Sequence, residues 1–183
     1  MIIVTENVSH SKADLIPLGD MHLGDEYFTK KSLFKLKGYI DWIKQNPHSR
    51  VVLTGDIFNV ATRTSKTSPF SRNWIEDEVD YAVTLFEPIK KQIIGAVDGN
   101  HENRLLEFAN YSLTKELCYK LSTKEHKVIY CAESCMLFLK VGKKLTGISK
   151  KFRSGERSDQ TYSIYIHHTT GGGSTVGGKL NRV

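Results

Sequence analysis

Apolar and polar positions recur along the chain in two periods, one of about two residues and one of about 3.6. Asp14 to Asp20, "DLIPLGD", reads as a strand in which Pro17, lacking a donor, predicts an edge or a bulge. Thr29 is placed to cap a helix, because Leu33, Leu36, Ile40 and Ile43 follow at helical spacing before "NPHS" stops the run. "RVVLTGD" is the next strand, and a polar loop covers residues 60–73. Ile75, Val79, Ala82, Val83, Phe86 and Ile89 mark a second amphipathic helix, and "QIIGAVDGN" a third strand. Leu113, Leu117 and Leu121 give one more helical stretch. Beyond it "KVIYCA", "CMLFLKVGKKLTGI" and "TYSIYIHH" read as strands, with a hairpin through Gly142 and Lys143. The prediction is one α/β domain over residues 1–183 with a β-rich later part.

Composition narrows the class. A chain of 183 residues with 39% hydrophobic and 25% charged residues can build one core. No apolar run nears the roughly 20 residues that cross a bilayer, so no membrane partner is expected. The first residues lack the basic start and long apolar run of a secretory signal. Cys118, Cys131 and Cys135 are odd in number and at no zinc-finger spacing, which predicts reduced core thiols and a cytoplasmic location. A net charge of +6 favours anionic partners without identifying one.

The chemistry gathers where strands end. Asp20 and His22 follow the first predicted strand, Asp56 the second, Asn100, His101 and Glu102 the third, and His167 and His168 the last. Ligand-type residues at strand carboxyl ends converge on one edge of an open sheet. Carboxylates, an amide oxygen and imidazoles together suit borderline divalent metals. In a strand only one of the two adjacent histidines can face such a site.

The ordered set D-x-H, G-D, G-N-H-E and a strand-terminal histidine resembles the calcineurin-like metallophosphoesterase superfamily across essentially the whole chain. "GDIFNVAT" and the segment from "HH" through "GGG" to "GGKLNR" look most like phage and prophage members. The resemblance implies a layered α-β-β-α sandwich and two divalent cations, manganese foremost, with iron, zinc, nickel or magnesium as alternatives. Asp20 and His22 would hold one cation, Asp56 would bridge both, and Asn100 with His168 would hold the second. His168 is preferred over His167 because it stands three residues before the "GGG". His101 would be the general acid, Arg104 a contact to phosphate, and Glu102 an orienting group. The implied reaction is hydrolysis of phosphate esters by a metal-bridging hydroxide. Phosphodiesters and nucleic acid are the favoured substrates, and the host cytoplasm is the location if the gene is of phage origin. A phosphomonoesterase, protein phosphatases included, is the alternative.

The family pattern also has a later G-H-x-H motif, which this sequence lacks. The expectation is therefore a chain cut short at its C-terminal end, with three protein ligands for each cation and weakened activity. "GSTVGGK", Gly173 to Lys179, matches G-x-x-x-x-G-K, but Leu180 replaces the hydroxyl residue that would meet magnesium. A third reading, a non-catalytic nucleic-acid-binding relative, rests on Arg63, Lys66 and Arg72, with Phe58, Phe70 and Trp74 as stacking aromatics. Oligomeric state stays open.

Overall fold

A computed structural model describes residues 1–61, 75–142 and 159–168. The chain runs β1 (Ile2–Val8), β2 (Asp14–Leu18), α1 (Lys30–Gln45), β3 (Ser49–Leu53), α2 (Ile75–Phe86), a 3₁₀ segment (Glu87–Gln92), β4 (Ile93–Ala96), α3 (Asn100–Ala109), α4 (Leu113–Leu121), β5 (Ile129–Tyr130), β6 (Ser134–Gly142) and β7 (Asp159–His167). Most of the loop at 60–73, the segment 143–158 and "GSTVGGK" lie outside the described residues, as do Arg63, Lys66, Phe70, Arg72 and Trp74.

Two sheets form. β2-β3-β4-β5 is parallel throughout, and β1-β6-β7 is mixed, with β1 parallel and β7 antiparallel to β6. The mixed α/β class expected from the sequence is therefore present. β3 is the reason the parallel sheet can be a central layer: "SRVVL" is apolar toward both faces, as a strand covered on two sides must be. Val51 and Leu53 pack with Leu36, Ile40 and Ile43 of α1, Val79 and Phe86 of α2, and Leu113 and Leu117 of α4. Val52, with Ile94 and Val97, instead meets Val4, Val8, Leu137, Leu139 and Ile166 of the other sheet. Each such buried side chain contributes about 1.5–3 kcal/mol. Pro17 is exposed on β2, an outer strand of its sheet, where a missing N–H costs no ladder bond.

Two differences from the sequence reading have physical causes. β1 went unassigned because its inward positions include Glu6, which pairs with Arg50 of β3 at 2.5 Å and breaks the apolar alternation. α3 has no apolar stripe to announce it: Phe108 is 89% exposed and only Glu102 is buried. β6 pairs with β1 on one side and antiparallel with β7 on the other, from Gly142 opposite Asp159, while the turn expected to pass through Lys143 lies outside the described residues.

Among the described residues no helix is long and apolar enough to cross a membrane. The free thiols Cys118, Cys131 and Cys135 are buried.

Candidate metal centre

The parallel sheet orders its carboxyl-end loops by backbone hydrogen bonds. Asp20 N–H donates to the Gly55 carbonyl at 3.0 Å, Met21 and His22 N–H both donate to the Asp56 carbonyl at 2.8 and 3.0 Å, and Leu23 N–H donates to Ile57 at 2.8 Å. The loops after β2 and β3 therefore run side by side. Following this path puts Asp20, His22 and Asp56 in the left-handed region, at φ 53°, 49° and 49°. For an L-residue that conformation costs roughly 1–2 kcal/mol, less for aspartate than for most.

α3 supplies the third wall. Gly99 is its N-cap, and Glu102 reaches back to accept from Gly99 N–H at 2.8 Å and Asp56 N–H at 2.9 Å through Oε2. Oε1 accepts from Phe58 N–H at 2.9 Å. Burial raises the pKa of this carboxyl, and the backbone donors oppose that rise. Gly99 has to be glycine: a Cβ there would stand 2.1 Å from Asp56 Oδ1. The closeness lets His101 N–H donate to Asp56 Oδ1 at 2.9 Å, holding the carboxylate at the positive end of α3.

One oxygen of Asp56 is thereby fixed and the other is turned inward. Asp56 Oδ2 lies 3.4 Å from His168 Nε2 and 3.8 Å from His22 Nε2. His168 Nδ1 donates to the Thr54 carbonyl at 2.8 Å, which leaves Nε2 as a lone pair in the neutral ring. That nitrogen is also 3.2 Å from Asn100 Oδ1. A carboxylate oxygen, an amide oxygen and, in the neutral ring, a bare imidazole nitrogen are all acceptors, and among the described residues they converge with no donor between them. A cation placed among them answers all three.

His101 is held in the same way, by a 2.6 Å contact from Nδ1 to the Asn59 carbonyl. Its ring meets that of His22 edge-on, with centroids 4.4 Å apart. Burial, the largest effect, lowers its pKa, Arg104 and His22 adding to this while Asn59 and Asp56 oppose it. Arg104 Nη1 is 3.3 Å from His101 Nδ1, but that nitrogen already gives its proton to Asn59, so it does not accept from the guanidinium. His22 Nδ1 is buried without a hydrogen-bond partner among the described residues.

Of the residues expected at strand ends, Asp20, His22, Asp56, Asn100, His101, Glu102 and His168 meet at this edge, with Arg104 beside His101, whereas His167 does not. His167 points away, exposed and stacked parallel to Tyr165. Ligand atoms come within 4.8 Å of one another in two groups that share Asp56: His22, Asp56 and His101, and Asp20, Asp56 and His168. The expected grouping set Asp20 with His22 and Asn100 with His168, both around Asp56, and kept His101 apart as an acid; the proximities alone assign none of these side chains to a cation.

Sequence reasoning did not find the carbonyls of Thr54 and Asn59, which carry no side-chain signal. It also passed over Glu78 of α2, buried against the loop at Gly24, where burial pushes its pKa up to about 7. A scan against protein-family models gives no match, and a search of curated proteins gives none either.

Proposed function

We propose that the chain is a metal-dependent phosphoesterase of the calcineurin-like type, acting in the cytoplasm, with the helix layer and two sheets as part of an α-β-β-α sandwich. The observation that carries this reading is the acceptor-only convergence of Asp56 Oδ2, His168 Nε2 and Asn100 Oδ1. Asp20, His22, Asp56, Asn100 and His168 would hold two divalent cations, manganese foremost. Bound there, such cations supply Lewis acidity and acidify water at neutral pH.

The chain's own groups do the rest. Asp56 would hold both cations, its Oδ1 already accepting from His101 N–H and its Oδ2 facing His168 and His22. The Asn59 carbonyl fixes the His101 ring so that Nε2 is the nitrogen able to pass a proton to a leaving oxygen. Its lowered pKa makes the imidazolium a stronger acid for that step. Arg104 offers a planar pair of donors to a phosphate oxygen. A phosphodiester, including nucleic acid, is the favoured substrate because the chain is basic.

Thermal unfolding with and without millimolar manganese, followed by turnover of aryl phosphate diesters and monoesters, tests this. Saturation at 100 times Kd stabilises by about 2.7 kcal/mol, and Asp56→Asn should abolish the shift. His101→Ala should keep the shift and slow turnover by about 10²–10⁴, least for good leaving groups. A melting temperature that manganese leaves unmoved in the unaltered chain would sink the proposal.

A further inference from the structure

Helix α1 carries an unusual solvent face. Its core side is filled by Leu36, Ile40 and Ile43. On the other side Phe34 is 79% exposed, Tyr39 62% and Trp42 47%. At 3.6 residues per turn these three span about 140° of arc. Lys31 and Lys35, both exposed, fall between them on that arc. Gly38 also falls within it, and a Cβ there would meet nothing within 4 Å. No acidic residue lies within the arc, and neither lysine has an ion-pair partner among the described residues.

We infer that this face is a docking track for single-stranded nucleic acid. Flat aromatics that accept the faces of successive bases, interleaved with cations that meet phosphates, are what a strand without sequence preference requires. Charge complementarity selects this occupant: a second copy would bring the same lysines against these. The crossover topology gives the track a direction. α1 begins eight residues after His22, beside the carboxyl edge of the sheet, and ends just before β3 starts at Ser49. It is about 24 Å long, so a strand lying along it has one end at the edge that bears Asp20 and His22. The track stands on α1 alone and does not need the metal chemistry to be right.

The test is fluorescence anisotropy of a labelled oligothymidylate with the full chain, titrated at several salt concentrations, beside light scattering on each variant. Phe34→Ala with Trp42→Ala should weaken binding on the order of tenfold or more. Lys31→Gln with Lys35→Gln should flatten the plot of log K against log salt by about 1.4, at roughly 0.7 for each lost phosphate contact. Phe108→Ala, removing an aromatic that is 89% exposed on α3, should leave affinity unchanged. Unchanged affinity in the α1 variants overturns the inference. So does a dimer that the same variants convert to monomer without affecting oligothymidylate. Binding that depends on α1 in a chain that neither holds manganese nor turns over esters removes the phosphoesterase proposal and leaves this one standing.

Discussion

A carboxylate that is 1% exposed must be met by donors, and Glu102 is met by three backbone N–H groups from two loops. Glu102→Gln keeps the shape but turns an amide NH₂ toward at least one of those donors. The expected cost is about 1–3 kcal/mol, read as a lower urea midpoint at unchanged slope. An unaltered midpoint would mean that the loops after β3 and β4 hold together without it. At this scale the residues that meet at the edge were legible, because each stands just past an apolar run and Asp20, Asp56 and Asn100 directly follow a glycine. Their partners were not. Thr54 and Asn59 act through carbonyls, which every residue has, and only a fold decides which carbonyl faces an imidazole.

Elements were legible in proportion to how much of their stability comes from an apolar face. α1 could be read from its cap to its end: Thr29 accepts from Ser32 N–H at 3.3 Å, and Asn46 N–H closes on Ile43. Thr29→Ala should therefore cost about 1 kcal/mol, measurable as a loss in denaturant midpoint. Because this cap lies on the path from His22 into α1, equal stability in the variant would show that packing alone sets the helix start. α3 and β1 were illegible for complementary reasons. The first is held mainly by its N-terminal hydrogen bonds, and the second hides its period behind the Glu6–Arg50 pair. Neither signal survives in a one-dimensional pattern.

The folding equilibrium of the whole molecule senses protons through Glu78. Burial between α2 and the loop at Gly24 raises its pKa from 4.5 to about 7 in the folded state, so the native form binds the proton more tightly than the unfolded form. Its contribution is full below about pH 4.5 and is lost as pH rises through about 7. Glu78→Gln should remove part of the decline in stability between pH 5 and pH 8, compared by urea unfolding at both values; identical declines in the two proteins would refute this. A wider consequence follows from the left-handed backbone at Asp20, His22 and Asp56. Glycine adopts that conformation without the steric cost of a Cβ, so two carboxylates and an imidazole stand where the backbone alone would favour glycine. At buried Asp56 the bond from His101 N–H offsets that cost. At exposed Asp20 the side chain is carried against the local preference of its backbone.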